Sequence, residues 1–420
     1  MVLAREGARF LVIERGAFAG SKNVSGGVLW GEDLHRLVPD YSMEEGGIER
    51  FIRHRRLTLM DEQSALSIDF KSAHYEAPPY AGVTVLRSRF DAWLAGKVEE
   101  AIARSDHAED SFVATNILVE EILKVDGRVV GIRTGEEAFY ADVVIVAEGV
   151  NNLLTREVGL QDDYVPADHM MLGIKEVLRF ERAALEDRFQ LDGLAGLSNE
   201  FVGFCSGGVA GGGFLYTNRE SVSIGLVLGM KDLREKGLKP YEILNDFKSH
   251  PVVADMLRGG EEVEYSAHAV SSGDMRVMPR EVFGSGVLVA GEAANLLINA
   301  GKAIQGMDYA MRSGILAAEA VLAARERADF SAESLKGYRQ ALEESFVMKD
   351  MRSFQNAVRL VHDASMYQML PAAACDFGRR FFTVRSAPTP KARTMLREAI
   401  KTRASYWSMI KLAYNASKSL

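Results

Sequence analysis

Cysteine is almost missing from this chain: Cys205 and Cys375 are the two in 420 residues, and they lie far apart. Two such thiols form no C-x-x-C pair and cannot supply a four-cysteine zinc site or iron–sulfur cluster between them. A disulfide framework is excluded as well, which fits a reducing compartment. No apolar run reaches the roughly 18 residues that a spanning helix needs, and no signal peptide is expected at the N-terminus. A cytoplasmic location follows as the expectation. Strong positive charge is lacking too: the formal net charge is −8 at pH 7, and no nucleic-acid partner is expected. No Ser-His-Asp set or metal-ligand cluster stands out, and the eight histidines are scattered. Repeats and low-complexity segments are absent.

One further absence is local. Phe10 to Ile13 is an apolar run that stops at an acid, Glu14. The second strand of a dinucleotide-binding βαβ unit has this form, its acid placed to accept hydrogen bonds from a ribose diol. That acid ordinarily follows a G-x-G-x-x-G turn by about 20 residues, and here no such turn precedes it. The chain reads as opening at the tail of the intervening helix, Val2 to Gly7. Two readings stay open: an ordinary buried strand, or a dinucleotide fold whose first strand is absent from these residues.

What is present organises itself around strand ends. Ala141 to Ala147 is an apolar run ending at Glu148-Gly149, and Gly286 to Ala290 is another ending at Gly291-Glu292. Together with Glu14 they make three runs that each stop beside an acid. Between them, Arg55–Met60 and Ala65–Phe70 alternate with period two around a turn, and are expected in a second sheet. Asp126-Gly127 signals a hairpin. Met307–Arg325, Ser331–Met348 and Arg352–Met369 read as helices, the first with small residues that permit close packing. The expected fold class is α/β: a Rossmann-like cofactor domain with its first strand absent, a mixed α+β substrate domain and a helical C-terminal region. The boundaries read as 1–165 with inserted strands at 48–88, then 166–283, 284–328 and 329–420. From Arg379 to Leu420 ten Lys/Arg stand against one acid, Glu398. Such a tail is either an interaction surface or a solvated helical face.

The three strand ends, in this order, match flavoproteins resembling p-hydroxybenzoate hydroxylase and geranylgeranyl reductase. Arg87-Ser-Arg-Phe90-Asp91-Ala-Trp-Leu94 is similar to a segment by which that class holds its cofactor. The resemblance narrows at Gly20-Ser-Lys-Asn-Val-Ser-Gly-Gly-Val-Leu-Trp30-Gly31, at Gly213–Gly225 and at Ser345–Arg352, which look like the FixC-type flavoproteins. These are relatives of electron-transfer-flavoprotein:quinone oxidoreductase. The resemblance implies FAD, held by Glu14, Arg15, Lys22, Ser25, Gly26, Gly27, Arg87, Glu148, Gly149, Gly291 and Glu292. It places Lys22, Asn23 and Ser25 near the isoalloxazine, where positive charge stabilises reduced flavin, and leaves no catalytic residue beyond the flavin.

The same resemblance implies electrons received from an electron-transfer flavoprotein (FixAB-like) and delivered to quinone, within a bifurcating FixABCX-type complex. Setting and location would be those of nitrogen fixation or a related pathway, with peripheral membrane contact. The related quinone oxidoreductase carries an iron–sulfur cluster in its own chain. With two cysteines this chain cannot, so a separate ferredoxin-like subunit (FixX-like) is implied. Glu148 and Glu292 depart from the family's usual Asp. Gly207–Gly213 reads as a quinone-channel wall or as a turn between strands, and Arg403–Tyr414 as a helix that docks on a membrane or a partner. The alternatives are a geranylgeranyl reductase-like isoprenoid reductase and a truncated, non-catalytic scaffold.

Overall fold

The computed structural model describes residues 1–23, 26–161, 164–300, 304–403, 412, 414 and 415. In chain order its strands are β1 (Leu11–Ile13), β2 (Gly26–Trp30), β3 (Arg50–Met60), β4 (Ala65–Lys71), β5 (Gly82–Leu86), β6 (Phe112–Ala114), β7 (Glu121–Val125), β8 (Arg128–Thr134) and β9 (Glu137–Tyr140). They continue as β10 (Val144–Val146), β11 (Met170–Arg179), β12 (Ala195–Gly203), β13 (Gly211–Thr217), β14 (Ser221–Gly229), β15 (Glu261–Ser271), β16 (Phe283–Gly284), β17 (Val287–Val289) and the short pair β18 (Ile298–Asn299) and β19 (Ile304–Gln305).

The parallel, Rossmann-like part is in two pieces. β1 pairs in parallel with β6, and β10 pairs in parallel with β17. Among the described residues no strand joins the two pairs. β17 is buried along its whole length, as a strand covered on both faces should be. Its cover is the helix Met307–Glu326, whose Ala317 is fully buried and whose Ser313 accepts the Gly291 N–H at 2.9 Å. The small residues expected there are what let helix and strand approach.

The larger sheet runs β15-β11-β14-β13-β12-β3-β5-β2, with β4 paired to β3. The alternating segment at 55–70 therefore joins the strands built from 170–271. β3 is parallel to β12, and the remaining pairs are antiparallel. One face carries Ile174, Ile224, Leu226, Leu215 and Leu197, all at most 1% exposed, and packs against Leu233, Leu244, Phe247 and Val253 from the helices 230–257. The period of two leaves the other face to line a cavity.

Arg50 at the start of β3 ties this sheet to its loops. It is 0% exposed, and its guanidinium donates to the carbonyls of Asn218 (2.6 Å), Gly193 (3.0 Å), Ala195 (3.1 Å) and Arg219 (2.9 Å) and to Glu186 (3.2 Å). Arg50→Leu leaves those acceptors without donors, and each buried unmet group costs about 1–3 kcal/mol. A loss of about 4 kcal/mol is expected, read as a lower denaturation midpoint.

The C-terminal region differs from the expected pair of long helices. The run 331–348 is broken into Ala332–Leu335, Gly337–Glu344 and Phe346–Ser353. Ser345 causes the second break: its hydroxyl accepts the Val347 N–H at 3.2 Å and caps a new helix. The helices Leu370–Phe382 and Ala392–Arg403 follow. Most of the expected docking segment 403–414 lies outside the described residues.

Candidate functional site

A cavity of about 2210 Å³ is lined by both parallel strand pairs, the helix Met307–Glu326 and the larger sheet. One arm lies between Leu11–Ile13 of β1, Val144–Val146 of β10, and Gly314, Ile315 and Ala318 of the helix Met307–Glu326. A second holds Glu14, Arg15, Lys22, Asn23, Gly27, Arg87, Gly291 and Glu292, with Glu148 and Gly149 at the end of β10. The third is floored by the free face of the large sheet.

Nine of the eleven expected cofactor residues, all but Ser25 and Gly26, line this cavity. Glu14 is half-buried at the end of β1, where its backbone is fixed by Ala114 and Ile117 and its carboxylate accepts the Gly16 N–H. Arg15 and Lys22 are exposed at the wall. Gly27 sits in β2 opposite Val85, beside Met307, and Gly26 pairs with Leu86. Ser25 lies outside the described residues. Arg87 makes a two-pronged pair with Asp91 at 2.7 and 2.8 Å, and Asn23 donates to the same carboxylate. Gly20 lets the loop press on this helix start: its φ is +92°, and a Cβ there would lie 2.6 Å from the Arg87 carbonyl.

The two later acids differ from each other. Glu148 is engaged in the fold: its carboxylate accepts the N–H of Leu154 (2.9 Å) and of Thr155 (2.7 Å) and the Thr155 hydroxyl (2.9 Å), which caps the helix Leu153–Glu157. Glu292 has one backbone donor, the Ser271 N–H at 3.1 Å. Burial pushes its carboxyl above the usual range, against the Ser271 bond and the Arg87 charge. Gly291 before it has φ +63° and packs on Ala310.

The third arm contains residues that the motifs do not reveal. Across the strands, Ser266, Lys175, Gly225, Phe214 and Glu200 form one row, and His268, Gly173, Val227 and Gly212 the next. Gly173, Gly225 and Gly212 keep the floor low, while Phe214 stacks on Tyr216 at 4.9 Å. Lys175 is buried and paired with Glu264 at 3.0 Å, and burial lowers its pKa. Glu200 is 9% exposed, and burial raises its pKa despite the nearby Arg55. Burial and the Arg87 charge lower the pKa of His268. In sequence Lys175 and Glu200 read only as polar positions of alternating strands, and no motif marks them or His268.

Comparison with known proteins now bears on this arrangement. Protein FixC of Salmonella typhi is 42% identical over 402 residues, which is 96% of this chain and 91% of that protein. The chain belongs to the FixC family. Protein FixC of Escherichia coli K12 is 40% identical over the same span. A probable electron transfer flavoprotein-quinone oxidoreductase of that organism, YdiS, is 37% identical over 94% of this chain and 90% of its own. A family model described as ETF-QO, ubiquinone-binding, matches residues 170–270 of this FixC-family chain, the span from the start of β11 nearly to the end of β15.

Solved structures show the same fold. A geranylgeranyl bacteriochlorophyll reductase-like protein of Thermoplasma acidophilum has a TM-score of 0.72 at 18% identity, covering 99% of this chain and 94% of that one. The flavin-dependent brominase Bmp2 has a TM-score of 0.59 at 16% identity, covering 96% and 94%. The α/β class expected from the strand ends is the class of this FixC-family chain.

Proposed function

We propose that this chain binds FAD along the second arm and passes electrons from an electron-transfer flavoprotein to a quinone held over the floor of the third. The observation that carries the reading is the coincidence of the quinone-binding family model with the strands that build that floor. The residues present fit the cofactor. A cavity for a drug-sized ligand measures about 300–1,000 Å³, and this one has room for an extended dinucleotide and a second ligand. Gly27 and Gly291 leave its wall open for close backbone approach. When bound, FAD supplies the electron chemistry, and the protein orients and tunes it.

Each residue then has a task. Glu14 accepts from the ribose hydroxyls, Arg87 and Glu292 flank the central chain of the cofactor, and Lys22 brings positive charge to the flavin end. Arg15, Gly26, Gly27 and Gly149 form the adjoining wall, and Glu148 shapes it by fixing the helix behind. Ser25, outside the described residues, precedes Gly26 in the sequence and is proposed for the same site. Both cysteines are buried thiols, Cys205 fully so. An iron–sulfur centre in the same route is therefore assigned to a separate ferredoxin-like, FixX-like subunit, as in a FixABCX-type assembly.

The purified protein tests the reading. A flavin spectrum near one per chain, and quinone reduction when an electron-transfer flavoprotein supplies electrons, are expected. A colourless protein leaves only the scaffold alternative, and hydrogenation of a prenyl lipid without quinone turnover favours the isoprenoid reductase.

Peripheral membrane contact forms part of the same proposal. No described helix is long and apolar enough to cross a membrane. At the end of the helix Leu370–Phe382, however, Phe382 is 74% and Val384 92% exposed, next to Phe381. Arg385, Lys391, Arg393, Arg397 and Lys401 follow, with no ion pair recorded for them among the described residues. Bulky apolar side chains beside basic ones suit an anionic bilayer surface. Phe382→Ser with Val384→Ser is expected to lower co-sedimentation with anionic vesicles several-fold, and equal binding by the variant would refute the contact.

A further inference from the structure

The third arm has one polar group whose placement the quinone reading alone does not explain. Glu200 lies in the middle of β12, opposite Phe214 on one side and Leu57 on the other, and it lines the cavity. Its side chain is buried, its cross-strand neighbour Phe214 stacks on Tyr216, and Arg55, which reaches its carboxyl, lies over the Trp30 ring at 4.3 Å. Two donors from other residues reach the carboxyl, and both reach Oε1: the Ser198 hydroxyl at 2.7 Å and Arg55 Nη2 at 3.4 Å. An acid in such a setting has an apolar space before it and a receiving pair behind it.

We propose that Glu200 is the acid that protonates a quinone reduced in this arm, with Ser198 and Arg55 stabilising the carboxylate it becomes. The inference rests on the quinone reading above. Reduction of a quinone to a quinol takes two electrons and two protons. The electrons come from the reduced flavin. One proton comes from Glu200: its O–H bond breaks as an O–H bond forms on the quinone carbonyl oxygen. The second proton, and the one that restores Glu200, come from water. Burial holds the carboxyl protonated further up the pH scale than usual, and the Arg55 charge and the Ser198 bond oppose that shift. Such a balance suits a group that must both keep and release a proton.

The groups that face Glu200 are few. Arg55 comes from β3, Tyr216 from β13 and Ser198 from its own strand. Along the same floor lie Lys175, already paired with Glu264, and His268, which senses Arg87. Tyr216 is held far above its usual pKa by burial and by the Glu200 charge, so it does not titrate in the working range.

The experiment compares flavin-loaded wild type, Glu200→Gln and Glu200→Asp, each pre-reduced, then mixed with a short-chain benzoquinone or with ferricyanide. Ferricyanide takes an electron and no proton. The expected result is a roughly hundredfold slower quinol formation by Glu200→Gln, with KM for quinone within about twofold and unchanged ferricyanide reduction. Glu200→Asp recovers part of the rate. The alkaline limb of the quinone pH profile, where wild-type Glu200 has lost its proton, disappears in Glu200→Gln. Wild-type quinone kinetics and pH profile in Glu200→Gln would overturn the role of Glu200 while leaving the quinone reading intact. Loss of flavin or of ferricyanide activity in both variants would also overturn it, by showing that Glu200 acts on the fold. A wild type that reduces ferricyanide but no quinone would remove both the reading and the proposal.

Discussion

Replacing Gly27 with leucine is expected to strip the protein of FAD while leaving its fold in place. Gly27 is in regular strand conformation opposite Val85, so a side chain brings no backbone strain. A Cβ there would meet only the terminal methyl of Met307, at 3.3 Å, and a methionine end can move aside. The rest of the leucine then occupies the wall of the second arm, between Lys22 and the start of the helix Met307–Glu326. A bound dinucleotide and this side chain compete for the same space. The flavin-to-protein ratio is expected to fall at least about tenfold, equivalent to about 1.4 kcal/mol or more. Stability must be compared between the flavin-free forms, because a bound cofactor stabilises by mass action. In that comparison the variant should match wild type or exceed it by about 0.5–1 kcal/mol, since glycine in a strand is entropically costly. Retention of full flavin by Gly27→Leu would place the cofactor elsewhere.

Gly173→Leu should have the complementary phenotype: full flavin, and quinone turnover lowered at least about tenfold. The three floor glycines are not equivalent. A Cβ at Gly225 would lie 2.3 Å from the Ile174 carbonyl, and one at Gly212 2.6 Å from that of Phe201, so those positions cannot take a side chain without moving backbone. At Gly173 the nearest atom is the His268 carbonyl at 3.5 Å, an ordinary contact. A leucine there fits the sheet and rises into the third arm between His268 and Val227. The loss should be shared between kcat and a raised KM, because the side chain displaces the acceptor without touching the second arm. Unimpaired quinone reduction would show that this floor is not where quinone is bound.

The strand ends were legible because their information is local. An apolar run and the acid that stops it are adjacent in sequence, and Glu14, Glu148 and Glu292 all prove to line one cavity. What each carboxylate does there was not legible. Glu148 closes a helix six and seven residues later, and that partnership depends on how the turn between them folds. The floor was hidden for a different reason. Lys175 and Glu200 read as the polar half of alternating strands, and only the register of four strands, joined by loops of different length, sets them in one row. Arg50 gave no signal at all, because its acceptors are carbonyls of residues more than 140 positions away. The helical break at Ser345 was readable as a capping residue within a helical run, and periodicity overrode it.

The parallel pairing of β3 with β12 reaches beyond the binding surface itself. It joins residues 51–60 to residues 195–203, so the span that matches the quinone-binding family model does not contain all the neighbours of its own strands. Cut out as a 170–270 polypeptide, β12 would present a bare edge of unpaired amides and carbonyls, open to association with other copies. During synthesis the same edge must wait for nothing, since its partner has already emerged, whereas β3 must remain unsatisfied until well over a hundred further residues have been made. Late closure of this kind slows folding, and it makes the N-terminal third of the chain the segment most in need of protection on the ribosome.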